Sequence, residues 1–92
     1  MSTTTAEERA EEAVTLSETE YRDRLRELPP SAKLVAKVLE SDHPLSQGQL
    51  AEESLLPDRT VRYALNRLED AEIIGSRYSF RDARKQVYYL RT

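Results

Sequence analysis

The chain contains no cysteine and a single histidine, His43. A disulfide framework and a thiolate metal site are thereby excluded, and one imidazole makes no cluster, so no metal is expected. No stretch approaches the roughly 20 apolar residues of a membrane span. The opening MSTTTAEERAEEA also lacks a basic start followed by an apolar run, so the expectation is a cytoplasmic protein with no membrane association. There is no glycine-rich phosphate loop, and His43 stands beside Pro44 in a turn-like stretch without a nucleophile or acid–base partner in view. It reads as a polar surface residue, and neither an enzyme nor a cofactor is expected. No internal repeat is visible.

With 92 residues the chain is one domain, near the small end of what buries an adequate core alone, and dimerisation would help it. The net charge is -3 and the pI near 5.2, which argues against a generic nucleic-acid binder, since such domains often exceed a pI of about 9. The charge is unevenly spread. Residues 1–28 carry eight acids against four arginines, whereas Pro57 to Thr92 carry eight bases against five acids. Arginine outnumbers lysine 11 to 3, a bias that fits a salt-adapted archaeon and that a GC-rich genome would also produce.

The first dozen residues are polar and Glu-rich with no apolar stripe, so residues 1–15 are expected to be mobile, in a flexible acidic segment spanning 1–16. Ser17 and Glu20 have capping-box spacing and predict a helix from Glu18 to Leu28 with Tyr21, Leu25 and Leu28 inward. Pro29-Pro30 interrupts it, and Leu34, Val35, Val38 and Leu39 predict the buried face of a second helix. After the turn Ser41 to Pro44, Ser46 and Gln49 repeat the capping-box spacing ahead of a short helix with Leu50 and Ala51 inward. The stretch from Ser54 to Pro57 reads as a tight turn. Asp58 is placed to cap a fourth helix reaching Ala71, whose Val61, Ala64, Leu65, Leu68 and Ala71 form the clearest amphipathic pattern in the chain. A strand from Ile73-Ile74-Gly75 to Tyr78, a charged tip from Arg81 to Lys85 and a return strand from Gln86 to Leu90 follow.

A short helix, a tight turn, a longer helix and a hairpin form the winged helix-turn-helix order, in which the longer helix fits the roughly 12 Å wide major groove of DNA. At 100° per residue, Arg59, Tyr63, Asn66 and Asp70 project within about 40° of the direction opposite Val61, with Arg62 and Arg67 flanking them. Arginine and asparagine pair bidentately with guanine and adenine edges, and tyrosine reaches phosphate or a thymine methyl. On the hairpin, Arg81, Arg84 and Lys85 are suited to the minor groove or its phosphates. The bland readings stay open beside these: arginines tied up in surface ion pairs, and a merely solvated turn.

The run LSQGQLAEESLLPDRTVRYALNRLEDAEIIGSRYSFRDARKQVYYL resembles the winged-helix core of MarR-type regulators over about half the chain. Asp82-Ala83-Arg84 fits that family's Asp-x-Arg wing pattern. The resemblance implies that Arg84 reaches the minor groove while Asp82 braces it. Thr60-Val61-x-x-x-Leu65-x-x-Leu68-Glu69 is similar to the family's recognition helix, a pattern shared by many winged-helix regulators. MarR-type proteins are longer and dimerise through helices at both ends, whereas this sequence stops just after the wing.

The resulting expectation is an α+β, mainly helical winged helix-turn-helix domain over 17–92, with an N-terminal helix and a two-stranded C-terminal wing. It acts as a transcriptional regulator that binds double-stranded DNA in the cytoplasm, associated with the nucleoid. Helix 58–71 enters the major groove and wing 74–90 lies on the minor groove. The DNA-contacting set is Arg59, Thr60, Arg62, Tyr63, Asn66, Arg67, Arg81, Arg84 and Lys85, with Asp82 as wing support. A homodimer is expected through Tyr21, Leu25 and Leu28, for which packing within their own domain is the alternative. No small-molecule ligand is expected. Two rival functions remain: a winged helix that meets protein in the transcription machinery, and an architectural chromatin protein with little sequence preference.

Overall fold

The computed structural model describes residues 15–92, so most of the segment expected to be mobile lies outside the described residues. Four helices and a small sheet follow one another: α1 Glu18–Arg26, α2 Pro30–Ser41, β1 Leu45–Ser46, α3 Gln47–Ser54, α4 Asp58–Asp70, β2 Ile74–Tyr78 and β3 Gln86–Leu90. The strands form one antiparallel sheet in the order β1-β3-β2. This is the expected α+β winged helix-turn-helix, with a third strand added to the wing. Among the described residues no helix is long and apolar enough to cross a membrane.

Both predicted capping boxes form. The Ser17 hydroxyl accepts from the Glu20 amide at 3.1 Å and Glu20 returns the bond to the Ser17 amide at 3.0 Å. Ser46 and Gln49 do the same at 3.2 and 2.9 Å. Each pair satisfies two of the amides that a helix start leaves without a partner. The fourth helix starts differently from expectation. Pro57 takes the N-cap position without a side-chain bond, and Asp58 is the first helical residue. Its carboxylate therefore complements the positive end of the helix dipole instead of capping an amide.

The core gathers Val35, Leu39, Leu50, Val61, Leu68, Ile73 and Ile74, all essentially fully buried. On α4 the predicted stripe Val61, Ala64, Leu65 and Leu68 is buried, with Ala71 at its margin. On α2 the predicted face needs correction: Ala32, Val35, Ala36 and Leu39 are buried, Val38 is half-buried, and Leu34 is 41% exposed. Residues 32, 35, 36 and 39 have i, i+3, i+4, i+7 spacing, and Leu34 lies about 150° from the centre of that stripe. The two alanines place the backbone of α2 close to its neighbours, a contribution that reading only large apolar residues overlooks.

The N-terminal helix is also spent internally. Tyr21 and Leu25 are each 7% exposed and belong to the core, with Leu28 packed against it, so Tyr21 and Leu25 are not the expected dimer seam. Leu16, assigned by sequence to the flexible segment, is buried as well, and its amide donates to the Arg91 carbonyl at 2.6 Å. The Tyr21 hydroxyl donates to the Glu40 carboxylate on α2. Burial raises the Tyr21 pKa well above its ordinary 10.0, and the bond to Glu40 and its negative charge push in the same direction.

Leu39→Ala is expected to cost about 2–5 kcal/mol in urea unfolding, and Leu34→Ala on the same helix less than about 0.5 kcal/mol. A second expectation concerns alkaline pH. The unfolded Tyr21 loses its proton near 10.0 while the folded one retains it, so stability falls as pH rises above that value. Tyr21→Phe removes this contribution and flattens the decline in unfolding titrations. The flattening is partial, because burial raises the Tyr88 pKa too.

Candidate nucleic-acid interface

The helix-turn-helix is built by α3, the turn Leu55 to Pro57 and α4. Leu55 ends α3 in the left-handed region at φ 62, its amide donating to the Ala51 carbonyl at 3.0 Å. Buried Ser54 accepts from the Leu56 amide at 3.3 Å. The Gln47 side chain donates to the Asp58 carbonyl at 3.3 Å, joining the first turn of α3 to the first turn of α4. At the far end, the Arg24 guanidinium donates to the Ala71 carbonyl at 2.9 Å and lies 3.8 Å from Glu72. A cation there complements the negative end of the α4 dipole. The orientation of α4 is thus fixed by its buried stripe and by a bond at each terminus.

On the outward side of α4, Arg59, Arg62, Tyr63 and Asn66 are exposed, and Thr60 and Arg67 are half-buried. Arg67 donates to the Tyr63 hydroxyl at 2.8 Å and lies 5.8 Å from the centre of its ring. The alternative in which these arginines are consumed by surface ion pairs does not describe the helix: among the described residues, the four ion pairs are Arg24–Glu72, Arg26–Asp23, Lys37–Glu40 and Arg84–Asp82. Arg59, Arg62 and Arg67 are in none of them. With Tyr63, Asn66 and the exposed Asp70 at its C-terminal end they form an outward face that carries three cations and one acid.

The wing begins at Ile74, paired with Leu90, and the ladder runs through Gly75↔Tyr89, Ser76↔Tyr88 and Arg77↔Val87 to Tyr78↔Gln86. At Gly75 the Tyr89 phenol ring lies close over the backbone, so a Cβ there, 2.6 Å from the hydroxyl oxygen, would push that ring aside. Beyond the ladder the Ser79 amide donates to the Lys85 carbonyl at 2.8 Å and the Lys85 amide to the Asp82 carbonyl at 2.9 Å. Asp82 accepts from the Arg84 backbone amide at 3.0 Å and faces its Nε at 3.5 Å. The two charged side chains of the Asp-x-Arg pattern are thus in contact, and the Arg84 side chain is 93% exposed. Arg81 and Lys85 are exposed beside it.

The structure therefore divides the sequence-derived residues into two clusters, one on the outer face of α4 and one at the wing tip. Two wing residues escaped the sequence reading. Arg77 is exposed on β2, and Phe80 is exposed at the tip with the Arg77 guanidinium 5.4 Å from its ring centre. The signal for Arg77 was its place in a short alternating strand. Phe80 gave none, because an apolar residue next to a strand reads as core. The third strand was also missed, since two residues are too few to show alternation.

Known proteins place this geometry in context. A sequence profile for winged helix-turn-helix DNA-binding matches residues 37–74. No curated protein matches the chain. Among solved structures, a MarR family transcription regulator aligns with a TM-score of 0.67 at 19% identity, covering 78% of this chain and 48% of that one. The S. aureus MepR–DNA complex aligns with a TM-score of 0.67 at 19% identity over 80% of this chain and 63% of MepR. The YusO protein from Bacillus subtilis aligns with a TM-score of 0.65 at 19% identity over 96% of this chain and 60% of YusO. The chain spans about half to three-fifths of the length of these structures. It has the winged helix-turn-helix fold, and in fold it is similar to structures of MarR-type regulators.

Proposed function

We infer that this chain is a DNA-binding transcriptional regulator, with the outer face of α4 in the major groove and the wing from Ile74 to Leu90 on the minor groove. The observation that carries the reading is the cationic face of Arg59, Arg62 and Arg67 around Asn66, outside every ion pair among the described residues. Arg59 and Arg62, on a rigid helix and in none of these pairs, are ready to meet phosphates and guanine edges without first breaking a bond, while Arg67 rests on Tyr63. Arg84, held by Asp82, is the minor-groove contact, and Thr60, Tyr63, Arg81 and Lys85 complete the contact set. The MepR structure with DNA supports the reading through a shared fold. A homodimer belongs to it too, because one recognition helix reads one half-site and a two-fold operator needs two about 34 Å apart.

The acidic remainder of the chain favours selective over indiscriminate binding. Each phosphate neutralised lowers log K by about 0.9 per log unit of salt, so the slope measures how many local cations take part. Arg59→Ala and Arg62→Ala should each leave the melting temperature close to wild type, with stability changes within about 0.5 kcal/mol, because both residues are exposed and no ion pair is lost.

Binding to pooled genomic DNA fragments across a salt series tests the function. Selective enrichment of one motif, lost in Arg59→Ala and Arg84→Ala, is the expected result, with a salt slope shallower by about 0.9 for each phosphate contact removed. Uniform enrichment would replace the reading with an architectural chromatin protein. Absence of enrichment at every salt concentration would replace it with a protein-interaction module.

A further inference from the structure

The single phenylalanine of the chain is not in the core. Phe80 is 96% exposed at the wing tip, and Tyr78, two residues earlier, is 62% exposed. Burying a phenylalanine stabilises a fold, and at this position almost none of that gain is realised. The tip that carries it is nevertheless well defined by its own bonds: Ser79 to Lys85, Lys85 to Asp82, and the Arg81 amide to the Ser79 hydroxyl at 3.1 Å. Arg77 lies 5.4 Å from the ring centre, Arg81 and Lys85 line the same shallow groove as the ring, and Arg84 is exposed on the same hairpin tip. The one acid of the tip, Asp82, is engaged with Arg84. The result is a flat apolar ring on a hairpin end, with Arg77, Arg81 and Lys85 beside it.

We propose that Phe80 is a wedge that inserts at a base step of duplex DNA when the wing enters the minor groove. The proposal rests on the DNA-binding reading above and adds a deformation step to it. A phenyl ring has no hydrogen bond to offer a phosphate and gains most by stacking against another flat face, whereas the neighbouring cations match the phosphates that flank a base step. Apolar side chains inserted from the minor groove partly unstack a step and kink the duplex toward the major groove. The cost is lowest at pyrimidine–purine steps and highest in stiff A-tracts. A wedge at this tip would favour sites with a flexible step under the wing, adding selectivity at base pairs where no side chain reads an edge.

The test uses the full chain at low salt with two duplexes built on the motif enriched from the genomic pool, one carrying 2-aminopurine beside a TpA step under the wing and one carrying it within an A-tract there. The wild type is expected to raise the 2-aminopurine emission at the TpA step and to bend that duplex. Phe80→Ala is expected to abolish both and to weaken binding by about five- to tenfold, in line with the loss of one aromatic–base stack. Phe80→Trp restores the signal. Arg84→Ala weakens binding but keeps the emission rise at saturation. Because Phe80 is almost fully exposed, its variants should melt like wild type. Wild-type binding without an emission change, or a rise that survives in Phe80→Ala, overturns the wedge and leaves the DNA-binding reading standing. Failure to bind either duplex overturns both.

Discussion

The outward chemistry of this domain depends on how α4 is seated. Its inner stripe, Val61, Ala64, Leu65 and Leu68, shares one buried cluster with Ala32, Val35, Ala36 and Leu39 of α2 and with Leu50 of α3. Interiors pack at near-crystalline density, so interlocked stripes leave a helix little freedom to roll about its axis. Since side chains on a helix occupy fixed angular positions, locking the inner stripe also locks the outer one. Arg59, Arg62, Tyr63 and Asn66 face solvent because the residues between them cannot. The contacts at the two ends, Gln47 to Asp58 and Arg24 to Ala71, hold the helix against tilting as well as rolling.

Much of this was legible in the sequence because it depends on local grammar. Ser17 with Glu20 and Ser46 with Gln49 state where helices begin, and the period of Val61 to Leu68 states which side of α4 is buried. The charged tip between two short apolar runs states where the hairpin turns. The sequence misled where the answer depends on the neighbour rather than on the residue. Leu34 is large and apolar yet exposed, while Ala32 and Ala36 are small and buried, because close helix approach rewards small side chains. Tyr21 and Leu25 have a spacing compatible with a dimer seam or with an internal face. Only the position of α2 and the end of β3 decides between them.

Long-range polar contacts were the least visible class. Nothing in local spacing connects Arg24 with the carbonyl of Ala71 or Tyr21 with Glu40, and the bond from Leu16 to Arg91 joins segments at opposite ends of the described chain. The site residues divide along the same line. Arg59, Asn66 and Arg84 follow from helix phase and from a short motif, so their exposure was foreseeable. Arg77 and Phe80 acquire their significance from a turn geometry that brings guanidinium and ring together, which no pattern of hydrophobicity encodes.

Ser46 occupies an unusual place in this scheme. It pairs with Val87 in the sheet and, through its side chain, caps α3. The next residue, Gln47, bonds to the first residue of α4. A short series of hydrogen bonds thus runs from the central strand of the wing, through the start of α3, to the start of the helix carrying the outward arginines. The two projecting parts are set like the jaws of a caliper whose opening is fixed by the strand and the cap between them. Any surface that meets both must supply the compliance itself, and the dimension being gauged belongs to the molecule held between the jaws.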